Sequence, residues 1–215
     1  MGLLFIVRHG ETPANHDRIL QGPRIDTQLS ERGLLQAASV AEAMARHPIQ
    51  ALYSSPLARA RQTAEAVMRG HASSIAGSLA VQVVPELYEM DYGLLAGRSY
   101  DDVAPEMAQV LDAWKLGFLD EPFPGGESAR VAQHRIRPFA ERVRRQAATA
   151  DVAVVAHGRI NRVLIATLTG AGLTRLEEFP QSNASISVLA VDEESVRVER
   201  LNDTAHLALS SETFS

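Results

Sequence analysis

The chain has 215 residues, 46% of them hydrophobic, and a formal net charge of −5. That is enough apolar material to bury one core without staples, and the length favours one domain over two. Cysteine is absent, which excludes disulfides, thiolate metal sites and cysteine nucleophiles. The acidic balance, interrupted only by the short cluster Arg142-Val143-Arg144-Arg145, argues against nucleic acid as the main partner.

The first apolar run, residues 3–7, meets Arg8 at once. It is too short for a signal peptide or a membrane span and reads as a buried strand, so no membrane association and a cytoplasmic location are expected. From Ser30 to about Arg46, apolar residues at Leu34, Leu35, Ala38, Ala41, Met44 and Ala45 repeat with a helical period that stops before Pro48. Residues 51–53 form a short strand. Ser55-Pro56 then reads as an N-cap with proline at the first helical position, opening a helix that runs to about Arg69 and stops at Gly70. A third strand covers 81–84. The stretch 85–126 is less regular, with a helix around 101–116 and a Pro-Gly-Gly turn at 124–126.

Ser128 caps a long helix to about Ala148, which Pro138 should kink or split. Residues 152–156 form a core strand, and 161–168 a helix ended by Gly170. Strands 185–191 and 196–201 flank the turn 192–195 as a hairpin at the sheet edge, an edge through which a homodimer can form. The alternation predicts an α/β fold, a three-layer sandwich with a mainly parallel central sheet, helices on both faces and an antiparallel edge. One domain is expected over 1–207, with a lid-like insertion at about 85–127, and 208–215 reads as a C-terminal tail.

Two of the predicted strands end in the same way, as Val7-Arg8-His9-Gly10 and Val155-Ala156-His157-Gly158. In open α/β sheets ligands bind beyond the carboxyl ends of strands. Arg8 there offers a planar fork to an oxyanion, and a neighbouring imidazole can attack phosphorus or move protons. Arg59 and Arg61 follow the second strand, and periodicity does not say which faces the site. His157 opens a helix whose dipole favours a bound anion, and that anion would help keep the imidazole protonated. Glu86, Glu89 and Asp91 follow the third strand, where a carboxyl group under an apolar lid can serve as a general acid. Trp114, Phe118 and Phe123 fit either the lid core or a partly apolar leaving group. Metal-ligand spacings, the Gly-Lys-Ser phosphate loop and the dinucleotide fingerprint are missing, so neither metal nor cofactor is expected. Together the strand ends predict an oxyanion site.

These segments, in this order, resemble the histidine phosphatase superfamily in its phosphoglycerate-mutase-like branch. The resemblance is carried by Arg8-His9-Gly10-Glu11-Thr12 with Asn15, by Gln21-Gly22 and the run to Gln36-Ala37, and by Ser54-Ser55-Pro56-Leu57-Ala58-Arg59-Ala60. Leu87-Tyr88-Glu89-Met90-Asp91-Tyr92-Gly93, Pro124-Gly125-Gly126-Glu127-Ser128, Ala156-His157-Gly158 and Leu201-Asn202-Asp203 with His206-Leu207 complete it. It implies that His9 is the phosphorylated nucleophile and Glu89 the proton donor. Arg8, Arg59 and His157 hold the phosphoryl oxygens, with Asn15, Gln21, Gly22 and Gly158 in the substrate site and no metal. Asn161 departs from the pattern, standing where an apolar residue is usual.

Segment 99–127 carries one basic residue, Lys115, against Asp101, Asp102, Glu106, Asp112, Asp120, Glu121 and Glu127. That charge fits hydrolysis of a small phosphate ester better than mutase action on phosphoglycerate. A non-catalytic relative that binds phosphoproteins is the other alternative, and such a binder has no need of Glu89.

Overall fold

The computed structural model describes residues 1–72 and 79–208. Six strands form one sheet: β1 (Gly2–Arg8), β2 (Ile49–Ser54), β3 (Val81–Val83), β4 (Asp151–Ala156), β5 (Ile186–Val191) and β6 (Val196–Asp203). Their spatial order is β3-β2-β4-β1-β5-β6. The four strands β1 to β4 run parallel, β5 pairs antiparallel with β1, and β6 closes the hairpin at the edge. Among the described residues, seven α-helices accompany them: α1 (Pro13–His16), α2 (Glu31–Met44), α3 (Ala58–Ala72), α4 (Tyr100–Lys115), α5 (Ala129–Ala147), α6 (Gly158–Thr169) and α7 (Ala205–Ala208).

Alternation along the central strands makes two cores, because successive side chains point to opposite faces. Leu4, Ile6, Val152 and Val154 face α4, α5 and α6, packing with Val103, Ile136, Phe139, Val143 and Leu164. Phe5, Val7, Ala153 and Val155 face α2 and α3, packing with Val40, Met44, Ala60, Ala64 and Val67. The three-layer sandwich expected from the sequence is the one found. No helix among the described residues is long and apolar enough to cross a membrane.

Several local expectations are corrected. The helix α3 begins at Ala58, not at Pro56. Its first N–H is received by Asp26 Oδ1 at 2.8 Å, while Ser55 Oγ accepts only Leu57 N–H and turns to another partner. The same helix runs through Gly70 to Ala72, with Gly70 lying against Ala41 of α2. Pro138 does not split α5. It lies on the exposed side, where the carbonyl it leaves unbonded can face water, while Ile136, Phe139 and Ala140 hold the core side. The helix α6 starts at Gly158, earlier than periodicity suggested, and ends as expected at Gly170. Of the expected tail, Ala208 closes α7 and residues 209–215 lie outside the described residues.

The segment between β3 and α5 is anchored to α5 by a nearly buried ion pair. Arg135 on α5 meets Glu127 bidentately, at 2.9 Å on both oxygens, and its Nη1 also donates to the carbonyls of Glu86 and Tyr88. Glu127 in turn accepts the Asp91 N–H at 3.0 Å. Glu89 therefore sits in a loop fixed on both sides. Trp114 and Phe123 are buried with ring centroids 5.2 Å apart, which makes them core residues, whereas Phe118 is exposed.

Candidate active site

The register of the parallel strands builds the site. Arg8 lies opposite Ala156, and Ser54 opposite Val155, so His9, His157 and Ser55 leave the sheet side by side. The imidazoles of His9 and His157 stand edge to face with centroids 5.1 Å apart.

His9 is buried, with Nδ1 2.7 Å from the Gly10 carbonyl. A carbonyl only accepts, so Nδ1 carries the proton and Nε2 keeps its lone pair. Arg59 Nε donates to that nitrogen at 3.3 Å. Burial first, then the charges of Arg59 and Arg8, hold the His9 pKa well below its usual value. The ring is thus a neutral nucleophile at neutral pH. Asn183 donates to the His9 carbonyl at 3.2 Å and, from the same amide, to Asn15 Oδ1 at 3.1 Å.

Arg59 is 1% exposed, its Nη1 and Nη2 donating to the carbonyls of Ile25 and Gly22 at 3.1 and 3.0 Å. Arg61 faces away, half exposed and paired with Glu65. Arg8 donates through Nη1 to the Gln181 carbonyl at 2.5 Å, and its buried Nε has no partner among the described residues. A Cβ on Gly158 would lie 3.5 Å from Arg8 Cζ, so glycine there leaves the face of the guanidinium open.

His157 Nε2 is 2.7 Å from Ser55 Oγ. That hydroxyl accepts Leu57 N–H and has its own hydrogen to give to Nε2; in that tautomer the ring proton sits on Nδ1, which is buried and has no partner among the described residues. Burial, then the charges of Arg59 and His9, keep the His157 pKa well below its usual value. The ring need not be charged to donate. The sequence reading, which had a bound anion keep this imidazole protonated, missed the hydroxyl that fixes its tautomer.

Glu89 docks on the first turn of α6. Its Oε1 accepts Met90 N–H and Ile160 N–H at 2.9 and 3.0 Å, and among the described residues Oε2 accepts only Arg159 N–H, at 3.2 Å. Oε2 thus retains capacity for another proton or donor. Arg8, His9, Asn15, Gln21, Gly22, Arg59 and Glu89 line a single cavity of ≈ 20 Å³ together with Tyr92 and Tyr100. His157 and Gly158 stand directly behind it, against His9 and Arg8. Asn15 Oδ1 is occupied by Thr12 N–H and Asn183, which leaves its amide N–H groups for a ligand. Gln21 is bonded at both ends, donating to Thr12 and accepting from Thr27, and so buttresses the wall.

A larger cleft of ≈ 510 Å³ lies between α2 and β5–β6, but none of these residues lines it. Among the described residues, no three metal-ligating side chains converge. Sequence reasoning missed Ser55, taken as a helix cap, and the buried pair Asn161–Gln181. Asn161 Nδ2 donates to Gln181 Oε1 at 3.1 Å and to the Val7 carbonyl at 3.2 Å, next to the Gln181 carbonyl that holds Arg8. The polar Asn161 in an apolar helix face was the signal available.

This chain is similar, over most of its length, to several phosphatases and, at 30% identity over 95% of this chain and 94% of that protein, to a probable phosphoglycerate mutase of Yersinia pestis. It is 32% identical to phosphoserine phosphatase 1 of Hydrogenobacter thermophilus, over 95% of this chain and 93% of that protein. Similarity to the adenosylcobalamin/alpha-ribazole phosphatase of Escherichia coli is 28% identity over 94% and 96%. Among solved structures, a mycobacterial glucosyl-3-phosphoglycerate phosphatase with VO3 superposes with a TM-score of 0.82 at 28% identity, covering 95% of this chain and all of that one. The family model of the histidine phosphatase superfamily (branch 1) matches residues 4–204. With that match spanning the strands that deliver His9 and His157, the chain belongs to the histidine phosphatase superfamily.

Proposed function

We propose that this protein is a phosphatase that hydrolyses a small phosphate monoester through a phosphohistidine on His9. The observation that carries the reading is the state of that imidazole: buried and neutral, with its proton on Nδ1 and its Nε2 lone pair beside the Arg59 guanidinium. Nε2 attacks phosphorus, the ester P–O bond breaks, and Glu89 gives its proton to the leaving oxygen. Arg8, Arg59 and the Nδ1–H of His157 hold the non-bridging oxygens and stabilise the charge that spreads over them in transfer. Asn15 adds its amide. Water then attacks the phosphohistidine, Glu89 takes the water's proton, and phosphate leaves with His9 restored.

The fixed cations supply the charge stabilisation that a metal ion supplies elsewhere, so phosphate release should persist in excess chelator. The acidic segment 99–127 supports hydrolysis over phosphoglycerate interconversion. The test is phosphate release from a panel of small esters in chelator, with wild type beside His9→Ala. Release that disappears in the variant, with an acid-labile phosphoenzyme trapped only in the wild type, is expected. Release that survives His9→Ala would remove His9 from the mechanism. A folded wild type that releases phosphate from no ester would overturn the phosphatase reading.

A further inference from the structure

Among the described residues no carboxylate pairs with Arg8, and its guanidinium makes one hydrogen bond, from Nη1 to the Gln181 carbonyl. Arg59 is braced more fully, by two carbonyls and by Asp26 at 3.7 Å. The main chain of Arg8 is fixed, its N–H bonded to the Ser185 carbonyl at 3.1 Å. Its charged fork stands at the end of a long stem, so its aim depends on where Gln181 is held.

Gln181 lies between the turn Leu173–Glu178 and β5. It is buried, and among the described residues Asn161 alone bonds its side chain. Asn161 is fully buried on α6, and every other residue that this helix buries is apolar. Its Nδ2 donates twice, to Gln181 Oε1 at 3.1 Å and to the carbonyl of Val7, the residue before Arg8, at 3.2 Å. One amide thus joins α6, the end of β1 and the segment that carries the Arg8 acceptor.

The pair is a poor stabiliser. Asn161 Oδ1 and Gln181 Nε2 are buried with no partner among the described residues, and an apolar pair of the same shape would cost less. As a support it has a specific merit, because neutral amides fix the acceptor of a guanidinium without setting a negative charge behind it. A carboxylate in either place would offset part of the charge that the transferred phosphoryl group meets.

We propose that Asn161, acting through Gln181, is a positioning residue that sets the aim of Arg8 at the transferred phosphoryl group while leaving its charge uncompensated. The proposal rests on the phosphatase reading above. It gives Asn161 no contact with substrate, and neither amide lines the cavity that holds Arg8 and His9.

The experiment measures kcat and KM of the full chain on the ester of the panel that it cleaves fastest, with inhibition constants for phosphate and for vanadate. Vanadate takes the five-coordinate geometry of transfer, so its binding reads how well the phosphoryl donors are aimed. Asn161→Leu should lower kcat by about tenfold to a hundredfold, the scale of a misplaced catalytic group, with KM changed less. The vanadate constant should rise by a similar factor, and the phosphate constant by less. Arg8→Lys keeps a charge but offers no fork, and on that background Asn161→Leu should cost little more. If Asn161→Leu does not fold, Gln181→Met decides, since it removes the same contact and leaves the main-chain carbonyl in place. Unchanged kcat and vanadate binding in the folded variant would overturn the assignment, even where its urea midpoint falls. An undiminished loss on the Arg8→Lys background, or equal rises in the phosphate and vanadate constants, would overturn it too. A folded wild type that releases phosphate from no ester would instead overturn the phosphatase reading.

Discussion

At the scale of single residues, the site depends on which ring nitrogen carries each proton. His9 has its tautomer set by a carbonyl and His157 by a hydroxyl, and the two settings are complementary. One ring presents a lone pair and the other an N–H. Ser55→Ala removes the hydroxyl that fixes His157 and should cut kcat/KM by about tenfold to a hundredfold, less than the ~10³-fold that a direct oxyanion donor can command. Stability should change little, which thermal unfolding checks. Activity equal to wild type would mean that His157 does not depend on Ser55 for its orientation. The residues themselves were legible in the sequence, because strand ends in α/β sheets are where ligands bind. The tautomer of His157 was not, since it depends on Ser55, which sits close to Arg59 in sequence but meets His157 only across the sheet. The choice of Arg59 over Arg61 likewise came from the resemblance, because both flank the same apolar helix face.

At the scale of elements, the proton donor is only as well placed as its loop. Arg135 ties both sides of that loop to α5 through Glu127 and two main-chain carbonyls, with side chains 13% and 10% exposed. Removing one partner strands the other charge in a poorly hydrated place. Arg135→Met should therefore destabilise the protein by about 3 kcal/mol in denaturant unfolding. It should also lower kcat, because Glu89 loses its fixed approach. An unchanged unfolding midpoint would show that the pair contributes nothing net. The strong periods at 34–45 and the apolar strand runs were readable as elements, and their order gave the sheet. The four-residue α1 and the 173–178 turn were not, because they are shorter than any window in which a helical period shows. The start of α3 was misread for a different reason. Its capping group, Asp26, comes from a distant loop, which local pattern cannot reveal.

At the scale of the whole molecule, the buried histidines make stability depend on pH. Burial holds the His9 and His157 pKa values well below 6.5 in the folded chain and lowers those of His47 and His206 by less. The unfolded chain then binds more protons as the pH drops below 6.5. This contribution is complete above that value and is lost as pH falls toward the folded values. A second loss follows at lower pH, where Glu177 gives up its pairing with Arg159 and Arg162. The urea midpoint should accordingly be lower at about pH 5.5 than at about pH 7.5, in the range where imidazoles titrate. Equal midpoints would mean that the rings gain no protons on unfolding.

The pairing of β1 with β4 has a kinetic consequence. Its two strands are far apart in the sequence, Leu4 pairing with Val152, and only their alignment brings the nucleophile beside its partner ring. Contacts so distant in sequence form late, after the loop entropy between them has been overcome. Helical signal can return early in refolding, from α2, α3 and α5 within their own segments. Catalytic turnover cannot. Recovered activity in a refolding experiment is thus a clock for the last long-range step, and it should lag the far-ultraviolet signal.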